Sequence, residues 1–163
     1  MRLTVIGIGQ TMRGDDAAGI EAVQRWQRLF PGTAARTGVE VQYAELPGLG
    51  LITLIEDFDA AVLVDAVSSV DSAGHVYRLG PDELESFGSG GKTAHGWGVA
   101  ETLQLDRQLN PEHATIRVRL VGIEAAQVDM GQPLSPAVEA ALPAACQAIE
   151  EEVQALLKQE PAQ

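Results

Sequence analysis

Cysteine is nearly absent from this chain. Cys146 is the only one, so no intrachain disulfide can form and a reducing cytoplasm is the expected setting. Basic residues are scarce too: 11 Lys and Arg stand against 23 Asp and Glu, a formal net charge of −12. That balance argues against nucleic acid or an anionic membrane as partner, because both need clustered cations. Neutral or basic protein surfaces suit it better. No apolar run approaches the ~20 residues that cross a bilayer. The chain enters a strand at once, leaving no room for the basic and apolar regions of a signal peptide. There is no internal repeat, linker or low-complexity tract, and no Ser in a G-x-S-x-G nucleophile setting. At 163 residues the chain can bury a core without disulfides or structural metal. The expectation is therefore a soluble, cytoplasmic, monomeric protein forming one domain over residues 1–163, with 158–163 as a frayed tail.

What is present is concentrated first between Gly7 and Gly19, where Gly-Ile-Gly-Gln-Thr-Met-Arg-Gly-Asp-Asp-Ala-Ala-Gly joins an apolar, β-branched run, Leu3 to Ile6, to a helical pattern from Ala17 to Phe30. Such strand-to-helix turns lie at the carboxyl ends of strands in open α/β sheets, where ligands bind. A dinucleotide fingerprint fails on spacing, since Met12 occupies the third glycine position. Gly9 and Gly14 have P-loop spacing, but Asp15 and Asp16 follow where Lys and Ser or Thr are needed, and two carboxylates repel phosphate. The turn instead suits a cationic partner such as a divalent metal ion. For Asp15 the plainer reading is a helix N-cap. Asp16 reads equally as first-turn decoration or as a ligand.

Further along, Val39 to Tyr43 alternates as a strand buried on one face, and Glu45-Leu46-Pro47-Gly48-Leu49-Gly50 makes a second strand-to-helix turn before a short helix from Leu51 to Asp57. Ala60 to Val67 is almost wholly apolar, as in a central parallel strand covered on both faces. Asp65 interrupts it near its carboxyl end, and a buried acid needs a pairing, a hydrogen bond or a cation. Gly74 to Leu79 reads as an edge strand, and Pro81 to Glu85 as a helical turn. Ser86 to Gly98 has five glycines and reads as a mobile surface loop. His95 ends that loop, either a solvated histidine or a metal ligand or general base. His75 and His113 are expected to face solvent. A helix follows over Val99 to Leu109, then a strand over Thr115 to Ile123 with Arg117 and Arg119 on one face, flanking the solvated side of the sheet. Ser135-Pro136 is an N-cap with Pro at the first helical position, opening a long covering helix. Pro143 should kink or restart it, and Cys146 is inert filling on its apolar stripe. Alternating strands and helices predict an α/β fold: a single-domain three-layer sandwich, a mainly parallel twisted sheet with helices on both faces and one antiparallel edge strand.

Asp16, Asp65 and His95 are remote in sequence, yet each is placed at or near the carboxyl edge of this sheet. Two carboxylates and an imidazole can bind a divalent ion and leave positions open for substrate or water. The chain resembles the hydrogenase maturation endopeptidases, which remove a C-terminal extension from the large subunit of nickel-iron hydrogenases. The resemblance runs from Leu3 to about Leu157 and rests on Val5-Ile6-Gly7-Ile8-Gly9, Gly14-Asp15-Asp16-Ala17-Ala18-Gly19, Asp65-Ala66, His95, Val121-Gly122-Ile123-Glu124 and Leu134-Ser135-Pro136-Ala137-Val138. It implies that Asp16, Asp65 and His95 form the nickel-recognising catalytic site. It also implies that the nickel is supplied by the substrate protein, with no organic cofactor, and that the partner is the precursor of a large subunit. Glu45, at the neighbouring turn, reads either as a solvated loop carboxylate or as a contact to the extension. Gln10 stands where the family usually has Asn, Glu45-Leu46-Pro47-Gly48 where it has Asp-Gly-Gly, and Ala125 where many relatives have Pro. The alternatives are a non-catalytic, metal-checking binding module for a hydrogenase subunit, and a nucleotide or small-molecule enzyme on a related sheet.

Overall fold

The computed structural model describes residues 1–45, 47–69, 71–88 and 98–159, without the side chains of residues 85, 87 and 88. Its strands are β1 (Leu3–Ile8), β2 (Val39–Ala44), β3 (Ala60–Val67), β4 (Val76–Leu79) and β5 (Arg117–Glu124). They form one five-stranded sheet in the order β2-β1-β3-β5-β4. Parallel pairing joins β1 to β2, β1 to β3 and β3 to β5, while β4 runs antiparallel along the edge. The helices are α1 (Ala18–Leu29), α2 (Pro31–Ala34), α3 (Gly50–Ile55), α4 (Pro81–Gly88), α5 (Val99–Leu109) and α6 (Pro136–Lys158), with 3-10 segments at Gly14–Ala17 and Pro111–Thr115. The expected three-layer sandwich is what forms.

The alternation of side chains along a strand sorts the core into two sheets of contact. Leu3, Val5, Val62, Val64, Val121 and Ile123 pack under α1 and α6, around the buried Trp26 and Ile149. Ile6, Ile8, Ala61, Leu63, Val118 and Leu120 pack under α3, α4 and α5, against Leu51, Leu84 and Leu103. Strand β3 is buried at every residue, the pattern its unbroken apolar run predicts for a strand covered on both sides. By the same period of two, Asp65 shares its face with Ala61 and Leu63 and so points to the α3–α5 layer.

Several local expectations are corrected. Pro31 to Gly38, rich in Gly, Thr and Pro and readable from its composition as a loop, contains the short helix α2, started by Pro31, whose fixed φ suits a first helical position. Helix α4 continues to Gly88, beyond the single turn expected. Helix α6 runs unbroken through Pro143, which is exposed, because its Val138, Leu142, Ala145, Ile149 and Val153 stripe stays packed on either side. Arg117 and Arg119 are half-exposed on the interior strand β5, Arg117 donating to the Gln159 carbonyl (2.7 Å) and Arg119 Nε lying 3.7 Å from Glu152 Oε2. His113 does not face solvent freely, since its Nδ1 lies 2.8 Å from Oδ1 of the buried Asp106. His75 is exposed as expected, its ring edge-on to Tyr77. Cys146 is buried, its Sγ 3.4 Å from the Ala22 carbonyl, and burial pushes its thiol up, away from thiolate chemistry. Residues 89–97 of the expected mobile loop and 160–163 of the expected frayed tail lie outside the described residues.

Candidate active site

The carboxyl ends of β1, β2, β3 and β5 meet along one edge of the sheet. There the first turn is drawn tight. Gly9 has φ of 147°, and a Cβ on it would sit 1.8 Å from the Asp16 carbonyl oxygen, so only glycine lets the chain double back on itself here. Gly19 has the same importance one step later: a Cβ would lie 2.3 Å from the Val64 carbonyl and 2.4 Å from that of Ile8. Helix α1 thereby starts in direct contact with the ends of β1 and β3. The 3-10 turn carrying Asp16 is set against the strand carrying Asp65.

Both acids are inside. Asp16 is 1% and Asp65 2% exposed. Asp16 Oδ2 accepts a hydrogen bond from the Gln10 amide at 3.1 Å, which folds its carboxylate back over the turn. On the strand next to Asp65 the paired residue is Gly122, where a Cβ would meet the Val67 side chain at 3.1 Å. Glu45 is exposed at the end of β2, and Thr11 Oγ1 lies 3.4 Å from its Oε1, so the first and second turns touch through these side chains. His95 lies outside the described residues. Among the described residues no group of three His, Cys, Asp or Glu side chains is arranged to hold a metal ion.

Asp15 is not the N-cap of its own helix. That position falls to Arg13, without a side-chain bond. Fully buried, Asp15 instead accepts four hydrogen bonds from a distant loop: Ala126 N (2.8 Å) and Gln127 N (3.1 Å) on Oδ2, Ser135 N (2.6 Å) on Oδ1 and Ser135 Oγ (2.8 Å) on Oδ2. The backbone repeats the join, with Asp15 N bonded to the Gln127 carbonyl (2.8 Å) and Gly14 N to that of Gln132 (3.0 Å). Ser135 meanwhile caps α6 by accepting from Val138 N. One carboxylate therefore fixes the Asp16 turn, the loop after β5 and the start of α6 to one another. The partners lie 111 to 120 residues away, and the sequence signal for them was only the Ser135-Pro136 cap.

A further buried acid closes the far side of this edge. Glu124, at the end of β5, accepts from Ser69 N (2.7 Å) and Ser69 Oγ (2.9 Å). The Tyr77 hydroxyl lies 2.9 Å from its Oε2 and 2.6 Å from Asp71 Oδ2. Burial and the hydrogen bond to Asp71 push the Tyr77 phenol up, so it stays a proton donor. The network ties the loop after β3 to the sheet.

Residues 37–152 match the family model described as HycI, hydrogenase maturation protease. The hydrogenase expression/formation protein HupD of Bradyrhizobium diazoefficiens is 27% identical over 141 residues, covering 84% of this chain and 70% of that protein. HupD of Rhizobium leguminosarum bv. viciae is 26% identical over 146 residues, covering 88% and 70%. Among solved structures, the NiFe hydrogenase maturation protease HybD from Thermococcus kodakarensis superposes with a TM-score of 0.73 at 24% identity, over 94% of this chain and 99% of that one. The hydrogenase maturating endopeptidase HybD from E. coli does so with a TM-score of 0.77 at 21% identity, over 94% and 93%. These superpositions establish a shared fold.

Proposed function

This chain belongs to the hydrogenase maturation protease family, a family of peptidases, and from that premise we propose that it removes a C-terminal extension from the nickel-loaded precursor of a nickel-iron hydrogenase large subunit. The observation that carries the reading is the pair of buried carboxylates, Asp16 in the 3-10 turn after β1 and Asp65 near the carboxyl end of the adjacent parallel strand β3. Burying two acids at one sheet edge is costly unless a cation or donors compensate, and carboxylate oxygens suit a divalent metal. Nickel arrives here as cargo of the substrate. Its docking on Asp16, Asp65 and His95 makes metal loading the condition for cleavage, and brings the scissile peptide to the crevice.

The reaction is hydrolysis. Water adds its oxygen to the carbonyl carbon, the C–N bond breaks, and the amide nitrogen leaves carrying a proton. The low-dielectric position of the carboxylates strengthens their hold on that water or on the metal that polarises the carbonyl. Glu45, exposed and 3.4 Å from Thr11 Oγ1, contacts the extension in this reading.

The test is incubation of the purified chain with nickel-loaded and nickel-free precursor, read by mass spectrometry. Loss of the extension only from the loaded form is the expected outcome. Asp16→Ala and His95→Ala should each abolish it while keeping a cooperative unfolding transition. Cleavage of both forms alike, or full activity of either variant, overturns the nickel-recognition reading. Stable binding with no shortening by the wild-type chain would instead mark a checking module.

A further inference from the structure

The loops at the carboxyl edge carry large apolar side chains that the core does not use. Met12, after β1, is 67% exposed, and Met130, after β5, is 68% exposed. Leu49, after β2, is exposed as well. Strands β1, β2 and β5 share one direction through their pairings, so the three loops that carry these side chains leave the sheet at the edge where Asp16 and Asp65 lie.

Two of them are held in a fixed relation. Gly131 N donates to the Met12 carbonyl at 2.7 Å and Arg13 Nε donates to the Val128 carbonyl at 3.3 Å. Beneath them lies the Asp15 clamp with its four donors. A buried charge is thus committed to fixing a platform whose outer face shows two methionines to solvent. Preorganised backbone lowers the entropic cost of ordering a binding surface, and Met adapts its shape to an irregular partner. Exposed apolar side chains grouped around a crevice mark interaction sites more than stability.

We propose that Met12 and Met130, flanked by Leu49, form a docking rim for the folded body of the large-subunit precursor, outside the crevice that takes its extension. The proposal rests on the function inferred above. Continuity selects the occupant: Met12 stands four residues before Asp16, whose carboxylate is hydrogen-bonded to Gln10 N within the same turn. Charge selects against a second copy, since two chains of net charge −12 repel. A free peptide would need the crevice alone, whereas a folded substrate must also rest its surface beside it.

The experiment compares wild-type chain with the Met12→Ser/Met130→Ser double variant on nickel-loaded large-subunit precursor, measuring kcat and KM for processing and, separately, Kd by calorimetry. Loss of the rim should raise KM and Kd by about tenfold or more with kcat within about twofold, because the groups at the reacting bond are untouched. The Met12→Leu/Met130→Leu variant, equally apolar, should bind like wild type. Both positions are exposed, so the thermal midpoints should agree and folding does not confuse the result. An unchanged Kd in the Ser variant overturns the rim. If wild type binds the precursor without cutting it, the peptidase reading fails while Kd still decides the rim.

Discussion

At the scale of single residues, the adjacent acids Asp15 and Asp16 divide structure from chemistry. Asp15 accepts three hydrogen bonds on Oδ2 and one on Oδ1, from backbone amides and a hydroxyl. Asp15→Ala strips acceptors from three buried or half-buried amides and the Ser135 hydroxyl. Hydrogen bonds to a charged group contribute about 1.5–3 kcal/mol, and orphaned donors add desolvation costs. The variant should lose about 3 kcal/mol or more of stability in urea unfolding. A loss below about 0.5 kcal/mol, the level of an ordinary surface change, would contradict the clamp. The site acids were legible because each breaks a local rule: Asp65 interrupts an otherwise apolar strand, and Asp16 adds a second acid where a P-loop needs Ser or Thr. The partners of Asp15 were not legible, since a side-chain bond spanning 120 residues leaves no trace in spacing. Helix capping, the commonest local use of Asp, stood in for it.

Elements are where the sequence spoke most clearly. Val99–Leu109 and Ala60–Val67 begin and end where their patterns do, because caps, glycine and apolar period all agree there. The strand expected from Thr115 starts instead at Arg117, because Pro111–Thr115 forms a 3-10 helix whose His113 reaches back to Asp106. Asp106 is buried and also accepts from the Asn110 side chain at 2.8 Å, so the imidazole answers a need that arises only after α5 has packed. The hydrogen bond to Asp106, with its charge and those of Glu112 and Glu56, holds the His113 pKa above 6.5. A group whose native pKa is raised adds stability in full below its unfolded value, and loses it as pH climbs through the native one. The gap in urea midpoint between wild type and His113→Asn should therefore be largest near about pH 5.5 and shrink toward about pH 8.5. A gap that grows over that range would mean the pair is held by something other than the imidazolium charge.

For the whole molecule, alternation of strand and helix foretold a helix-covered parallel sheet, yet the order β2-β1-β3-β5-β4 could not be read off the chain. Nothing local tells β3 to cross over β1 or β5 to insert between β3 and β4. The right-handed crossover preference narrows such choices without naming one. Net charge, by contrast, is a global property that sequence states outright. The difference of 23 acids and 11 bases leaves −12, and like charges confined to one compact body repel. Against that stand ion pairs such as Arg2–Glu40 at 3.2 Å and Arg25–Glu139, with partners one-third to one-half exposed. Exposed pairs of this kind are worth about 0–1 kcal/mol each. Raising salt from about 0.01 M to 0.15 M shortens the screening length from about 30 Å to 8 Å, which removes long-range repulsion across the molecule while weakening only the few short attractions. Repulsion is the larger sum, so the thermal midpoint should rise with sodium chloride over this range. A midpoint that falls would show that the ion pairs outweigh the excess charge, and that the acidic surface is a stabilising lattice rather than a cost carried by the fold.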